Sequence, residues 1–254
     1  MVVADDFGLS PEVNAGILQA FERRLISATS LMANMPAFDA AVAAARDRGL
    51  TDRLGVHLNL SEGEALSTEI RDCPRLCAPD GMLHWKHRNV WRLDPSEKRG
   101  IAAEWRAQLG KVRDAGVTPS HLDSHHHVHT ALAIGMIAIA VAHEFAVPTL
   151  RLSRNCGPDP RLAVRLYKRY FNSRIRSAGL TRMAYFGSAI DARSVLDSAR
   201  GPIEVMTHPQ LDSAGRLAND KNGEPLEPII AALGIADRMV SYRELMSDAP
   251  RPGA

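Results

Sequence analysis

Residues 1–34, MVVADDFGLSPEVNAGILQAFERRLISATSLMAN, hold the pattern that decides the fold. Met1–Ala4 is apolar and of strand length, and Leu25–Asn34 has the same character. Between them, Pro11–Arg24 has helical period, with Ser10 placed as the N-cap and proline at the first helical position. A strand, a helix and a second strand in this order predict two parallel strands joined by a helical crossover.

The same alternation continues along the chain and predicts an α/β fold. We expect a distorted (β/α) barrel of about seven parallel strands, similar to a TIM barrel, with an open doubly wound sheet as the alternative. The further predicted strands are Leu54–Leu60, Pro119–Ser124, Val147–Leu152, Ile203–Thr207 and Arg238–Ser241. The further predicted helices are Ala37–Arg48, Glu97–Ala115, Ala131–Phe145, Arg161–Ala178 and Pro228–Leu233.

The chain of 254 residues is interpreted as one β/α-barrel domain over 1–254, because no repeat or low-complexity linker interrupts it. Residues 61–94 form a stretch longer than an ordinary connection, which predicts either a lid or a small insertion. Trp85 and Trp91 lie in this stretch, where they either stack on a sugar ring or pack a lid onto the barrel.

Composition narrows the classes of partner and compartment. The net charge of +2 and the lack of a basic run interleaved with aromatics argue against nucleic-acid binding. The longest apolar stretch, Ala131–Ala142, is far shorter than the ~20 residues that span a bilayer. Three cysteines without framework spacing fit a reducing compartment, so a cytoplasmic protein is expected; the sequence leaves a homodimer open.

Polar residues follow four of the predicted strands. Asp5 and Asp6 end the first strand, His57 lies inside an apolar strand, and His208 follows Ile203–Thr207. The segment HLDSHHHVH, residues 121–129, places five of the ten histidines at another strand end. Considered singly, each of these residues has a structural explanation. His57 could be a hydrogen-bonded core histidine, the two aspartates could begin a turn, and His208 could be a loop residue. Because the carboxyl ends of barrel strands meet at one face, we expect these groups to form one metal site.

In their order, these motifs resemble the YdjC-like family of carbohydrate deacetylases. The resemblance covers nearly the whole chain and depends on the following stretches: ADDFGLS at 4–10, GVHL at 55–58, HLDSHHHVH at 121–129, VMTHP at 205–209 and SYREL at 241–245. It implies a seven-stranded distorted β/α barrel with one divalent metal ion. By motif position it further implies that Asp6, His57 and His125 bind the metal and that Asp5 is the general base.

The expected function is therefore metal-dependent removal of N-acetyl groups from an acetylated amino sugar or sugar conjugate. His208 is the candidate that protonates the leaving amine. Asp123 is expected to orient a histidine, and His127 to lie behind the ligands or face the substrate. Arg151 is expected to anchor a substrate oxygen or Asp5, with a surface ion pair as the alternative.

Two questions stay open at this point. Two imidazoles and a carboxylate suit Zn²⁺, whereas Mg²⁺ is the ion often named for the resembled family. The same ligands also fit a metal-dependent phosphoesterase or a non-catalytic metal-binding barrel. The expected partner is a small N-acetylated sugar or glycoconjugate.

Overall fold

The computed structural model describes residues 1–84, 92–157, 161–219 and 223–247. Among these residues, six parallel strands form one sheet in the order β4-β3-β2-β1-β6-β5. The strands are β1 (Val2–Phe7), β2 (Ala28–Leu31), β3 (Leu54–Leu58), β4 (Leu122–Ser124), β5 (Tyr185–Ser188) and β6 (Ile203–Thr207). The sheet curls into part of a barrel, so the predicted α/β barrel class is confirmed.

The segment 149–156 joins the two edges of this sheet. At its start, Leu122 donates a backbone hydrogen bond to Thr149, and Arg151 donates one to Leu122, which ties the segment to β4. At its end, the amides of Asn155 and Cys156 both donate to the carbonyl of Phe186 in β5. The predicted strand Val147–Leu152 is thus reduced to one parallel bridge at Leu150, because the segment leaves β4 to reach β5.

Helices surround the sheet and follow the strands along the chain. The helices are α1 (Pro11–Glu22), α2 (Phe38–Asp47), α3 (Thr68–Arg71), α4 (Pro95–Asp114), α5 (Leu132–Glu144), α6 (Leu162–Ser177), α7 (Ala189–Arg193), α8 (Leu226–Ala231) and α9 (Tyr242–Ser247). Short 3₁₀ turns lie at Thr51–Arg53, His125–Thr130 and Ala236–Arg238. Among the described residues, none of these helices has the length and apolar composition that crossing a bilayer requires.

A small antiparallel sheet follows β6 directly and was not predicted. Its strands are β7 (Pro209–Leu211), β8 (Leu217–Asn219) and β9 (Glu224–Pro225). Helix α1 lies against β7 so closely that a Cβ at Gly16 would come within 2.4 Å of the Gln210 Cα atom. A side chain at position 16 would push the helix and this sheet apart.

The stretch 61–94 is irregular where it is described. It contains α3 and two antiparallel bridges, Glu64 with Met82 and Cys77 with Leu83. Its buried apolar residues belong to the core: Ala65, Ile70, Cys73, Leu76, Cys77, Leu83 and Leu93. Trp85 and Trp91 lie outside the described residues, so the prediction of a lid remains a prediction, as does that of a single domain.

The predicted last strand, Arg238–Ser241, is wrong. The chain there forms the 3₁₀ turn Ala236–Arg238, and Ser241 caps α9 instead of ending a strand. The Glu244 amide donates to the Ser241 hydroxyl, and the Glu244 carboxylate accepts from the Ser241 amide at 2.6 Å. This reciprocal pair satisfies amides that would otherwise have no partner at the helix start.

Candidate active site

The predicted site residues meet at the carboxyl ends of β1, β3, β4 and β6. Asp5 and Asp6 end β1, and His57 lies in β3, paired in register with Asp123 of β4. His125 follows β4 directly, and His208 follows β6. The arrangement follows the rule that a β/α barrel collects its functional groups where its strands end.

A break in the regular backbone turns both aspartates toward the site. Consecutive side chains of a strand normally point to opposite faces. In β1 the register with β2 shifts between Ala4 and Phe7, and Asp6 adopts the left-handed conformation, with φ of 73°. Both carboxylates are buried, and both contact site residues. A left-handed non-glycine residue costs of order 1–3 kcal/mol, and such strain is typical of functional sites.

Asp6, His57 and His125 bring three potential metal ligands together. The Asp6 Oδ1 atom lies 3.1 Å from His57 Nε2 and 2.8 Å from His125 Nδ1. The three residues are buried, and one ligand atom from each lies within 4.8 Å of the others. One carboxylate and two imidazoles on three different strand ends form a donor set that fits a divalent cation.

The charges of Asp6, His57 and their neighbours also favour a bound cation. Burial alone would raise the pKa of Asp6, but hydrogen bonds from His125 and His57 and their charges hold it well below its ordinary value. Burial opposes the charged form of His57, but the charge and hydrogen bond of Asp123, the hydrogen bond to Asp6 and the charge of Asp5 together outweigh it and raise the pKa of His57 to about 10. The acidic groups thus favour positive charge at the point where a cation would bind.

His57 is oriented from behind by Asp123. Its Nδ1 atom lies 2.7 Å from Asp123 Oδ1, which leaves Nε2 directed at Asp6. The Ser30 hydroxyl of β2 donates to Asp123 Oδ2 at 3.0 Å and holds the carboxylate in turn. A carboxylate behind a ligand histidine fixes the ring and its tautomer, which is the arrangement predicted for Asp123.

Arg151 is the centre of a buried ion-pair cluster. Its Nη1 and Nη2 atoms donate to the two oxygens of Asp5, each at 2.7 Å. It also pairs with Asp123 at 2.7 Å and with Glu204 of β6. All four side chains are at most 1 % exposed, so the alternative of a surface ion pair at Arg151 is wrong.

The cluster holds its charges by mutual pairing. Burial would lower the pKa of Arg151, but the three carboxylates raise it well above its ordinary value. Burial likewise opposes the charged form of Asp123, and the Arg151 and His57 charges bring the pKa of Asp123 below its usual range. For Glu204 the burial dominates and raises the pKa.

His208 lies beside Asp5, at the edge of the cluster. Its Nε2 atom is 3.9 Å from Asp5 Oδ2, and its side chain is 13 % exposed. Its backbone amide donates to the Asn219 side chain at 2.9 Å, so the β7–β8 hairpin fixes its position. His208 therefore has access both to the carboxylate and to the outside of the site.

The remaining histidines of residues 121–129 separate into different environments. His127 makes an edge contact with Phe186, its ring 5.7 Å from the Phe186 ring, and its Nδ1 is buried without a partner among the described residues. His129 is fully buried, with Nε2 3.1 Å from the Arg151 carbonyl. His126 is exposed and directs its Nδ1 to the Ser61 hydroxyl at 3.0 Å. The left-handed backbone of residues 126 and 127 breaks the strand-like alternation.

Two other groups among the described residues could hold a metal. Asp5, His57 and Asp123 form one, but the carboxylates of Asp5 and Asp123 already pair with the Arg151 cation. The second combines Glu62 and His125 with the exposed His126. Of the three groups, Asp6, His57 and His125 best match the ligand preferences of a divalent cation.

Three contributors to the site were not predicted from the sequence. Glu62 contacts His125 Nε2, Ser30 supports Asp123, and Glu204 pairs with Arg151. Glu204 had a detectable signal, since a charged residue inside an apolar strand is rarely buried without a partner. Ser30 and Glu62 are small or half-exposed polar residues that nothing distinguishes from their neighbours in sequence.

Comparison with protein families agrees with this geometry. A model of the family described as YdjC-like protein matches residues 1–251. The chain belongs to the YdjC-like family. Its match includes the strand ends that carry the two aspartates and the site histidines.

Two bacterial relatives are similar to this chain over most of their length. A carbohydrate deacetylase of Halalkalibacterium halodurans is 34 % identical over 210 residues, covering 82 % of this chain and 84 % of the relative. A carbohydrate deacetylase of Brevibacillus brevis is 35 % identical over 220 residues, covering 84 % and 82 %.

A solved structure shares the fold of this YdjC-like chain. It is an Enterococcus faecalis protein named for cellobiose-phosphate cleavage, with a TM-score of 0.73 and 21 % identity. The alignment covers 96 % of this chain and 97 % of that one. At this identity the likeness concerns the fold, and it agrees with the curled parallel sheet.

Proposed function

We propose that this protein is a metal-dependent carbohydrate deacetylase that hydrolyses the N-acetyl group of an acetylated amino sugar or sugar conjugate. The observation that carries the proposal is the buried group Asp6, His57 and His125 next to Asp5, which Arg151 holds through both carboxylate oxygens. The names of the two bacterial relatives support the choice of substrate class.

Asp6, His57 and His125 would hold the metal, which when bound supplies positive charge that polarises the acetyl carbonyl and acidifies water. Asp123 keeps the His57 ring in the orientation that such binding needs. A cation with only three protein ligands keeps coordination positions open for small molecules. Zn²⁺ suits these ligands on chemical preference, and Mg²⁺ remains the alternative.

Asp5 is the proposed general base. Its Oδ2 atom takes a proton from the water that attacks the acetyl carbon, while Arg151 fixes the direction of the carboxylate. A well-placed base is typically worth ~10²–10⁴-fold in rate. Because Asp5 is 1 % exposed, bulk water does not compete for its charge.

His208 is the proposed proton donor to the leaving nitrogen. Its Nε2 is 3.9 Å from Asp5 Oδ2, close enough for both to serve one substrate. The amide C–N bond breaks as the water oxygen becomes part of acetate, and the sugar leaves with a free amine. Asp5 takes one proton from the attacking water, and His208 donates one proton to the nitrogen. The proton on Asp5 then returns His208 to its initial state, and the second water proton leaves from the carboxyl group of the product as acetate forms.

Acetate release from N-acetylglucosamine oligosaccharides tests the proposal. The protein is stripped with a chelator and reloaded with Zn²⁺ or Mg²⁺, and acetate and new primary amine are both measured. We expect equal amounts of the two products with one of the ions and none from the stripped protein. Phosphate release from a phosphoester without acetate release would instead indicate a phosphoesterase, and full activity in the stripped protein would contradict the metal role.

A further inference from the structure

The outer face of α6 is unusually apolar for a solvent-exposed surface. Leu162, Leu166 and Tyr170 are 58 %, 53 % and 52 % exposed. Spaced four residues apart, they form one stripe along the helix. The opposite face packs on the barrel through Phe171 and Ile175, which are fully buried. Helix α6 therefore has two apolar faces, and only one is covered by the protein.

The same helix carries strong positive charge beside that stripe. The sequence of α6, LAVRLYKRYFNSRIRS, contains five basic residues and no acidic one. Arg165 and Arg169 are exposed and, among the described residues, make no ion pair. At 100° per residue, they lie next to the stripe on the side that faces the cleft described below.

A cleft of ≈ 740 Å³ lies along the basic side of α6. One wall is α6, and the other is formed by the segment 154–157 and Asp191 of α7. Asp191 is the acidic residue among the described lining residues, and it already pairs with Arg154. The charged residues that line the cleft are Arg154, Arg165, Lys168, Arg169, Arg176 and Asp191.

We propose that α6 is a membrane-docking helix that lies flat on an anionic lipid bilayer. The stripe Leu162, Leu166 and Tyr170 would enter the headgroup region, and Arg165 and Arg169 would contact lipid phosphates. An apolar face flanked by cations is the composition of helices that lie in the bilayer interface. This inference does not depend on the deacetylase proposal.

Charge complementarity selects the anionic bilayer over other occupants. A symmetric contact between two copies would bring the same face of both chains together, so the acid-free, basic α6 would meet its own like charges. A nucleic acid would neutralise the arginines but leave the leucines and the tyrosine without an apolar partner. A surface of anionic lipid matches both features of the helix.

Helix α6 also contacts segments of the candidate active site. The Tyr167 hydroxyl donates to the Thr130 carbonyl at 2.6 Å, directly after the histidine segment 121–129. The Asn172 side chain accepts from the Ser153 amide and donates to its carbonyl, two residues after Arg151. Helix α6 is thus tied to the backbone of two site segments.

Co-sedimentation with lipid vesicles tests the proposal on the full chain. One set of vesicles contains phosphatidylcholine alone, and the other contains phosphatidylcholine with phosphatidylglycerol. We expect binding to the second set, decreasing with salt. The double variant Arg165→Gln/Arg169→Gln should bind about 30-fold more weakly, from about fivefold for each lost cation, and Leu166→Ser/Tyr170→Ser about tenfold or more.

The matched control is Lys98→Gln/Arg99→Gln, which removes two exposed cations from α4. It should bind like the parent, because those residues are not on α6. Equal binding by all variants, or no binding to the anionic vesicles, would overturn the proposal. So would a dimer in light scattering that Leu166→Ser/Tyr170→Ser dissociates, or retention of a DNA duplex in preference to vesicles. Circular dichroism and unchanged thermal unfolding confirm that the variants are folded.

Discussion

Apolar side chains are generally buried and charged ones exposed, and two regions of this protein depart from that rule in opposite directions. They are the buried ion-pair cluster around Arg151 and the outer face of α6. The cluster buries Asp5, Asp123, Arg151 and Glu204 in the interior of the protein, where apolar groups are expected. Helix α6 exposes a stripe of large apolar side chains where polar groups are expected. Most of the remaining buried residues are apolar, and these two departures are the ones that the proposals above connect with function.

The two regions differ in how much of the protein supports each side chain. Arg151 contacts the other three members of the cluster, so its loss leaves buried carboxylates without their cation. A residue of the α6 stripe faces solvent, so its loss leaves the folded chain nearly unchanged. We therefore expect substitutions in the cluster to lower the unfolding free energy strongly and substitutions on the stripe to change it little.

The largest effect is expected from Arg151→Met. The change leaves three buried carboxylates without their cation, which typically costs ~3–5 kcal/mol of unfolding free energy. Urea unfolding measures it, with Arg154→Met as the matched control. Arg154 pairs with Asp191 at the surface, where its side chain is 45 % exposed, so the control should lose at most about 1 kcal/mol. Equal losses for both variants would contradict the central role of Arg151.

Asp123→Asn should weaken metal binding without removing a ligand. The change removes the charge behind His57 while preserving the shape of the side chain. Loss of such a supporting carboxylate typically lowers metal affinity 10–100-fold. Calorimetric titration of the stripped, folded protein measures the affinity, and Asp52→Asn in the 3₁₀ turn of residues 51–53 serves as a control. An unchanged affinity in Asp123→Asn would show that His57 is not a ligand oriented by Asp123.

Acid should destabilise the protein through histidines that are buried in the neutral form. Burial lowers the pKa of His121 to about 3 and that of His129 to about 4, whereas both are near 6.5 when unfolded. The unfolded chain therefore binds protons first as pH falls below 6.5, and stability decreases from there toward pH 4. Above pH 6.5, His121 and His129 are neutral in both states and do not make the stability depend on pH.

A histidine variant isolates this contribution. Between pH 7 and pH 5, His121→Gln should lose about 2 kcal/mol less unfolding free energy than the parent, at ~1.36 kcal/mol per pH unit below 6.5. Urea unfolding at the two pH values measures both losses, whatever the absolute stability of the variant. Identical losses in parent and variant would mean that His121 is not neutral in the folded protein.

The smallest effect is expected on the outer face of α6. Leu166→Ser/Tyr170→Ser should change the unfolding free energy by only about 0.5 kcal/mol, because both side chains are half exposed. Phe171→Ala, one residue further on the buried face, should cost about 3–5 kcal/mol. Thermal and urea unfolding compare the two. A large loss in the serine variant would mean that the stripe supports the fold.

The sequence predicted well wherever a local signal decides the structure. Ser10 caps α1 through the Val13 amide at 3.3 Å, and α1, α4, α5 and α6 end within two residues of their predicted limits. Strand β6 has its predicted bounds. Caps, helical period and short apolar runs are properties of neighbouring residues, so they can be read without the tertiary structure.

The errors have a common physical cause. Strand β5 was missed because it is short and half buried, and its pairing with β6 depends on residues far away in sequence. Val147–Leu152 has the composition of a strand, but its hydrogen bonds are divided between β4 and later segments. Long-range pairing, which composition does not report, decides both.

The site was predicted in part for the same reason. The strand-end rule and the family resemblance bring the three ligand candidates and the two catalytic candidates together, and the structure places them in contact or close to it. The orientation of both Asp5 and Asp6 toward the site depends on the left-handed backbone at Asp6, which strand alternation would not predict. The pairing of Arg151 with three carboxylates likewise depends on residues that only the folded sheet brings together.

Asp5 and Asp6 are adjacent in sequence, and the proposed function gives them different tasks. The most direct test measures bound metal and acetate release in Asp5→Asn beside Asp6→Asn, both reloaded with the ion that supports activity. We predict that Asp5→Asn keeps its metal and loses at least about 10²-fold in rate, whereas Asp6→Asn loses both. Retained activity in Asp5→Asn, or loss of metal from it with metal retained in Asp6→Asn, would contradict the assignment.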